Sequence, residues 1–464
     1  MNAVTSLIPA TLAADPRIPA LIERYDGRAP RYTSYPTALQ FTPQVEAETY
    51  RRWLGELPTD EPVSLYAHVP FCKRLCWYCG CNTRAVSKPR LVSDYVARLK
   101  DELALVRAAL PGRMTAGAIH LGGGTPNMLG EQDLAELFGA LREAFDVVPD
   151  AEIAAEIDPA VLTRDWVRAA ASHGLNRASI GVQDLSPHVQ EAVNRIESFE
   201  VVRDAVTWLR EAGVGSINLD LMYGLPRQRT QDVLTTLSRI LTLKPERLAL
   251  FGYAHVPWAK AHQKLINGDD LPGAVERLDQ SEAAAALLAS AGYVRIGLDH
   301  YALPDDEIAV ALAAGRLRRN FQGYTADPHS TLIGLGVSAI SALPQGYVQN
   351  DASEVGWTRR VREGRLAAIR GVALTDEDRF RAEIIERLMC DLSVDLAEVC
   401  ARHGRRPDDL VAERARLAVL EADGLVTLDG DRLGMTALGA PWLRTAAQAF
   451  DVQSRDQGGH SKVL

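Results

Sequence analysis

The sequence predicts an α/β protein in which strand–helix units repeat around a parallel sheet. An N-terminal arm and a small, mainly helical, winged-helix-like C-terminal domain are attached to it. Three observations predict this. Between about 61 and 300, short β-branched runs alternate with amphipathic helical stretches. The polar and glycine-rich motifs fall directly after those runs, where parallel α/β folds place their chemistry. From about 370 onward the pattern turns helical and charged, with one hairpin near the end. A chain of 464 residues has room for one large domain of roughly 250 to 300 residues and smaller attachments. The boundaries expected are 1–60 for the arm, 61–350 for the sheet domain and 351–464 for the C-terminal domain.

Composition is that of an ordinary globular protein, 47% hydrophobic and 24% charged. No apolar run approaches the roughly 18 residues that a membrane span needs. The net charge of −9 argues against a general nucleic-acid or anionic-membrane binder. The first residues lack the basic start, apolar core and cleavage site of a signal peptide, and Pro9, Pro16 and Pro19 interrupt any helix there. A soluble protein of the reducing cytoplasm is expected. An anionic substrate would then need a local basic pocket, for which Arg24, Arg28, Arg31 and the group Arg316, Arg318, Arg319 are candidates.

In the arm, Arg31-Tyr32-Thr33-Ser34-Tyr35-Pro36-Thr37 has no helical or strand period and reads as an extended loop. Its residues suit a surface connector and a lid over a carboxylate-bearing macrocycle equally well. Strands are expected at 63–69, 117–121, 151–157, 175–182, 215–222 and 247–253, with 293–298 as a seventh. Helical windows lie between them at 91–110, 131–145, 162–173, 200–212 and 275–290. Six or seven units fall short of an eight-fold barrel.

The first strand runs straight into a loop holding four of the six cysteines, Cys72, Cys76, Cys79 and Cys81, within ten residues. Three thiolates at C-x-x-x-C-x-x-C spacing can hold three irons of a cubane cluster and leave the fourth iron open. Zinc would want two separated pairs, and in so tight a run Cys79 and Cys81 would compete for one position. A disulfide framework suits neither the length nor the low cysteine count.

The motifs that follow occupy equivalent places. Gly122-Gly123-Gly124-Thr125-Pro126 leaves the second strand, and its glycines allow a close backbone approach to a ligand. Glu156 ends the third strand, Gln183 and Asp184 end the fourth, and Arg195 follows. Asp220 lies within the otherwise apolar fifth strand, where an acid is costly without a hydrogen-bonding partner. His300, Asn320, Gln322 and Tyr324 form a polar group suited to a structural network or to substrate contact. Farther on, Thr375 caps a helix through 380–390, and Cys390 and Cys400 read as core thiols. The stretch 425–436 is a hairpin with Asp-Gly at its turn. The C-terminal domain is expected to pack on the barrel and cover the site, and the last dozen residues to be disordered.

C-x-x-x-C-x-aromatic-C, with Tyr78 as the aromatic, resembles the signature of the radical S-adenosylmethionine (radical SAM) enzymes. Gly80 and Cys81 narrow the resemblance to the oxygen-independent coproporphyrinogen III oxidase (coproporphyrinogen dehydrogenase) family, whose close relatives usually carry Phe at the position of Cys81. Trp77 departs from the Tyr or Phe expected. The resemblance implies a partial (β/α)6 barrel, curled and open at the side. It implies a [4Fe–4S] cluster on Cys72, Cys76 and Cys79, together with S-adenosylmethionine, two molecules of it. Contacts to that cofactor fall on Tyr66, Tyr78, Gly80, Gly123, Gly124, Thr125, Glu156, Gln183, Arg195, Asp220, Ala254 and Ile340, with Arg195 meeting a carboxylate. Cys81 and Glu156 are implied to serve catalysis, and the arm phrase to belong to the site. The implied reaction takes two propionates of coproporphyrinogen III to vinyl groups in haem (porphyrin) biosynthesis. An unidentified flavodoxin- or ferredoxin-like protein would supply the electron to a monomer. A haem-binding chaperone of similar layout, and a radical SAM methyltransferase or haem-opening enzyme, are the rival readings.

Overall fold

The computed structural model describes residues 12, 15–453 and 460–464. The readings made for Pro9, for the first eleven residues and for 454–459 lie outside the described residues.

Strict alternation within the strands organises the fold. In Ser216–Tyr223, Ile217, Leu219 and Leu221 are at most 1% exposed and join the apolar core, while Asn218 and Asp220 point the opposite way. Successive side chains also face opposite ways along β1 (Val63–Val69), β2 (Thr115–Gly123), β3 (Asp146–Ile157), β4 (Arg177–Gln183), β5 (Ser216–Tyr223) and β6 (Arg247–Gly252), with β1 and β6 largely buried on both faces. One face packs Leu65, Ile119, Ile153, Ile180, Leu219 and Leu248 against helices. Burying each such side chain stabilises the fold by about 1.5–3 kcal/mol. The other face carries Tyr66, His120, Glu156, Ser179 and Asp220 toward the hollow of the sheet. Each strand from β1 to β6 leads to a helix on the apolar face: Pro89–Ala109, Glu131–Ala144, Arg164–Ser172, Phe199–Glu211, Thr230–Leu241 and Ala274–Ser290.

The helix ends are written locally. Thr163 and Ser198 accept hydrogen bonds from the amides of Trp166 and Val201 at two helix starts. Gly174, Gly213 and Gly292 end three of the helices with φ of +94°, +88° and +89°, a left-handed turn that costs glycine nothing.

Later strands widen the sheet to twelve: β7 (Val294–Ile296), β8 (His300–Ala302), β9 (Leu332–Leu335), β10 (Ile340–Leu343), β11 (Gly346–Asn350) and β12 (Ala368–Ala373). The order is β12-β11-β10-β9-β1-β2-β3-β4-β5-β6-β8-β7, an open partial barrel with an antiparallel ribbon at each side. The seventh strand expected at 293–298 is therefore corrected. β7 pairs antiparallel with β8 across a three-residue turn, too short for the crossover a parallel pair requires. The seventh parallel strand is β9, which sits beside β1. The boundary expected at 350/351 also moves, because β12 continues the same ladder to Ala373.

In the arm, Pro16 and Pro19 do not prevent a helix. Pro19 stands in the first turn of Ile18–Tyr25, where the missing amide has no partner to lose. Tyr32 and Tyr35 are neither a surface connector nor a free lid. They are 4% and 2% exposed within the core of the C-terminal domain, where Tyr32 Oη donates to Asp451 and Tyr35 Oη accepts from the Val452 amide.

The C-terminal domain begins with Asp376–Asp391, capped by Thr375 and Asp378. A three-stranded sheet orders Ser393–Asp395, Arg432–Met435 and Val426–Asp429 beside the helices Leu396–Arg402 and Val411–Ala422, a winged-helix-like layout. Cys390 and Cys400 are 1% and 0% exposed. The domain docks on the arm and on the 318–325 hairpin, where Tyr324 Oη donates to the Met389 carbonyl and Glu386 accepts from the Arg319 amide. It thus closes the side of the barrel; the loop after β6, not this domain, covers the cysteines. The expected disorder at the end does not extend to 460–464, because Lys462 bridges to Arg28 and pairs with Asp26 while Arg444 binds the Val463 carbonyl. No helix among the described residues is long and apolar enough to cross a membrane.

Candidate active site

The cysteine loop leaves β1 at the carboxyl end of the sheet. It is pinned first by a two-residue ladder between Phe71–Cys72 and Arg84–Ala85. Neighbouring loops then hold its backbone from both sides. Trp77 donates its amide to the Val193 carbonyl at 3.0 Å, and Asn194 Nδ2 donates to the Leu75 carbonyl at 3.1 Å. From the loop after β6, Gln263 Nε2 donates to the Tyr78 carbonyl (2.9 Å) and Lys260 Nζ to the Cys81 carbonyl (3.1 Å), and His262 Nε2 lies 2.7 Å from the Cys79 carbonyl. With its carbonyls satisfied in this way, the loop presents its sulfurs.

Each of the first three sulfurs has a donor aimed at it. Thr125 Oγ1 donates to Cys72 Sγ at 3.4 Å, and Thr83 Oγ1 lies 3.1 Å from the same atom. Arg195 Nη1 donates to Cys76 Sγ at 3.6 Å, and the Cys81 amide to Cys79 Sγ at 3.4 Å. The hydrogen bond from the Cys81 thiol is the main cause holding Cys79 down to about 6, helped by His262 and Lys260. Burial pushes the Cys72 thiol up against the pull of its two threonines. Cys81 itself is raised well above the ordinary thiol range, by the bond to Cys79 foremost and by Glu156 and Cys72 nearby. Cys81 is exposed at the loop tip, beside Cys79. Among the described residues no three His, Cys, Asp or Glu side chains converge on one metal-ion position. Three thiolates that bind three different irons stand farther apart than the ligands of one ion.

Glu156 projects from β3 into the same space. It accepts from the Gly123 amide at 2.8 Å and lies 3.6 Å from His120 Nε2. Burial would raise this carboxyl, yet His120 and the Gly123 amide together leave it below its usual range. His120 stacks on Tyr66 at 5.8 Å, and Tyr66 Oη lies 3.0 Å from His68 Nδ1. The glycine run has a reason the sequence does not reveal. A Cβ on Gly122 would meet Tyr66 at 2.8 Å and Glu156 at 2.9 Å, one on Gly123 would meet His68 at 2.5 Å, and one on Gly124 would meet Thr83 at 2.5 Å. A side chain at any of the three would therefore collide with the protein's own residues.

Gln183 ends β4 with φ +68°, which turns the chain over the rim. Arg195 comes back beneath it, 8% exposed, donating to the Gly181 carbonyl at 2.6 Å and lying 3.1 Å from Glu197 and 3.5 Å from Asp158. It is therefore matched to two carboxylates of the chain, beside the ligand carboxylate that the resemblance assigns to it. Asp220 has the partners its burial demands, with Ser179 Oγ and Asn218 Nδ2 each donating at 2.8 Å; burial lifts it to about 6. Ala254 follows β6 and accepts from Gln263, and Ile340 opens β10 at the same rim. Gly80 lies exposed at the loop tip between Cys79 and Cys81, and Tyr78 packs on the apolar cluster around Tyr253.

Sequence reasoning missed His68, His120, Ser179 and Asn218, which the alternation in Tyr-Ala-His-Val, Ala-Ile-His-Leu, Arg-Ala-Ser-Ile and Ile-Asn-Leu-Asp could have revealed. It also missed Lys260, His262 and Gln263, which grip backbone carbonyls and carry no motif. His300 pairs with Asp299 at 2.8 Å and Tyr324 with the Met389 carbonyl, so this part of the polar group is structural. Asn320 and Gln322 line a small interior cavity of about 50 Å³ beside His120. Of the candidate arginines, Arg28 and Arg31 line a cavity of about 390 Å³ next to Ala254. Arg316, Arg318 and Arg319 line another at the side, and Arg24 pairs with Asp423 at 2.8 Å.

Comparison with known proteins gives this arrangement its context. The Radical SAM superfamily matches residues 66–240, and the HemN C-terminal domain matches 374–442. The oxygen-independent coproporphyrinogen III oxidase of Bradyrhizobium diazoefficiens is 51% identical over 424 residues, covering 91% of this chain and 94% of that protein. The Escherichia coli enzyme of the same name is 39% identical over 439 residues, covering 94% and 96%. The solved structure of coproporphyrinogen III oxidase (HemN) from Escherichia coli superposes with a TM-score of 0.88 at 37% identity, covering 93% of this chain and 98% of that one. With likeness of this extent over nearly its whole length, the chain belongs to the oxygen-independent coproporphyrinogen III oxidase family of the radical SAM superfamily.

Proposed function

We propose that the protein catalyses the oxygen-independent oxidative decarboxylation of two propionate side chains of coproporphyrinogen III, giving the vinyl groups of protoporphyrinogen IX in haem biosynthesis. The observation that carries it is the cysteine loop itself: three thiols at cubane spacing, each with a hydrogen-bond donor, over a polar inner face and within a chain of this family.

Cys72, Cys76 and Cys79 would hold the [4Fe–4S] cluster. The donors fit that role, since hydrogen bonds to thiolate stabilise the charge that iron ligation requires. S-adenosylmethionine would lie between the loop and the sheet, against Tyr66, Tyr78, Gly80, Gly123, Gly124, Thr125, Glu156, Gln183, Arg195, Asp220, Ala254 and Ile340. A second molecule of it is part of the proposal. When bound, the cluster and S-adenosylmethionine supply an electron and a 5′-deoxyadenosyl radical that takes hydrogen from the β-carbon of a propionate. The chain's own residues bind, orient and exclude water. Glu156, kept ionised by His120 and the Gly123 amide, accepts hydrogen bonds from the cofactor's amino or hydroxyl groups. Asp220, fixed by Ser179 and Asn218, does the same from β5. Arg195 fixes Cys76 and the rim through Asp158 and Glu197. Cys81 stands exposed beside Cys79, where it can shape the radical site or pass a hydrogen atom.

The six free cysteines suit a reducing compartment, and we place the protein in the cytoplasm as a monomer served by a flavodoxin- or ferredoxin-like donor. Anaerobic incubation with reductant, S-adenosylmethionine and coproporphyrinogen III should release carbon dioxide and form vinyl-bearing product. Tight stoichiometric haem binding without vinyl formation would instead identify a chaperone.

A further inference from the structure

The cavity of about 390 Å³ between the arm, the end of β6 and the C-terminal residues is electropositive in a protein whose net charge is −9. Its side-chain carboxylates are already engaged: Asp26 with Lys462 at 2.9 Å, Glu282 with Arg295 at 3.9 Å and Asp299 with His300 at 2.8 Å. Arg31, Arg277 and Arg444 have no carboxylate within 4.0 Å among the described residues. They bond only to neutral oxygens. Arg31 donates to the Gly252 carbonyl at 2.7 Å and Arg277 to the Gly224 carbonyl at 3.5 Å, while Arg444 donates to the carbonyls of Ala29 and Val463 at 2.9 and 2.7 Å. Arg277 also leaves its buried Nε without a partner. Burial and the charges of Arg31 and Arg277 push Arg444 down to about 9, as expected where guanidinium groups crowd without a counter-ion. Charge this concentrated and this desolvated calls for an anion.

The position says which anion. Ala254 lines the cavity, and its carbonyl shares the Gln263 amide that also grips Tyr78 of the cysteine loop. Tyr223, Tyr253 and Trp258 supply an aromatic wall. A ligand here is anionic on one side, flat and apolar on the other, and separated from the cysteine loop by the Gln263 link. Building on the porphyrinogen reading, we propose that Arg31 and Arg277 hold the carboxylates of the propionates that the reaction retains, and so set which arms face the cysteine loop. Chemistry separates retained arms from reacting ones. Decarboxylation removes the carboxylate's charge, so a guanidinium clamp on the reacting arm would stabilise the ground state against the step, whereas a clamp on a retained arm costs the step nothing.

The test titrates the full-length, cluster-loaded protein anaerobically with two unreactive porphyrins. One is coproporphyrin III, with all four propionates; the other is deuteroporphyrin IX, which carries only the two retained ones. R31Q and R277Q are each expected to weaken both ligands by about tenfold or more, the loss expected for one charge-assisted pair. R277K, which keeps the charge without the planar fork, should recover part of the loss, and R316Q at the lateral cavity should stay within twofold of the parent. Arg444 is left intact because it also ties the arm to the C-terminal residues. Unchanged affinities in R31Q and R277Q at parental melting temperature would overturn the proposal. So would a loss for coproporphyrin III that spares deuteroporphyrin IX, since the cavity would then hold the reacting arms. If the parent protein binds neither porphyrin, the porphyrinogen reading itself falls.

Discussion

Five of the six cysteines fall into two groups whose surroundings could hardly differ more. Cys72, Cys76 and Cys79 sit on a loop with hydroxyl, guanidinium or amide donors at each sulfur. Cys390 and Cys400 are buried in the C-terminal region, where desolvation raises both thiols far from ionisation. Thiolate chemistry needs stabilised negative charge, and the first group has donors at its sulfurs that oppose the cost of burial. What separates the two groups is therefore the donor beside the sulfur, not burial, because Cys76 is itself only 8% exposed.

The sharpest way to break this contrast is to exchange the groups' fates. Cys76→Ala should abolish both the iron–sulfur absorbance and turnover, while Cys400→Ala should retain parental iron and sulfide and lose only about 1–2 kcal/mol of stability in denaturant unfolding. Iron retained in Cys76→Ala would refute the ligand assignment. Next in size, Glu156→Gln should keep the cluster and lower reductive cleavage of S-adenosylmethionine by about a hundredfold, the usual loss when an engaged charged partner is removed from a desolvated site. Cys81→Ser tests the thiol that belongs to neither group. Parental iron content with turnover reduced by about tenfold is expected, judged against typical single-residue effects on positioning and hydrogen transfer; full turnover would end the functional reading of Cys81.

The smallest effect concerns the inner face. Burial raises Asp220 from 3.8 to about 6, so the folded state binds this proton more tightly than the unfolded chain does. Its contribution is fully present below about 4 and is lost as pH rises through about 6. Unfolding free energies measured across that window should fall with pH in the parent and fall less in Asp220→Asn. Equal slopes would show that Asp220 does not titrate there.

Much of this was legible because it is local. The spacing of β1 to β6 and their helices follows from periods of two and 3.6, and cysteine spacing pointed to a cluster without any knowledge of the fold. What stayed hidden is long-range. β9 is four residues long and finds β1 across more than 260 residues, so no pattern near Leu332 announces it. The tyrosines of the arm looked like lid residues because their partner, Asp451, lies 419 positions from Tyr32. Lys260 and His262 were invisible for another reason: they recognise backbone carbonyls, which every sequence has. The glycine run has a second, hidden reason, because a Cβ there would meet Tyr66, His68 and Thr83 of the chain itself.

Electron paramagnetic resonance of the anaerobically reduced, full-length protein, recorded with and without S-adenosylmethionine, tests the central claim most directly. The account predicts a [4Fe–4S]⁺ signal in the parent and in Cys81→Ser that shifts when S-adenosylmethionine is added, and no such signal in Cys76→Ala. A signal that S-adenosylmethionine leaves unmoved in the parent, or one that survives in Cys76→Ala, would contradict it.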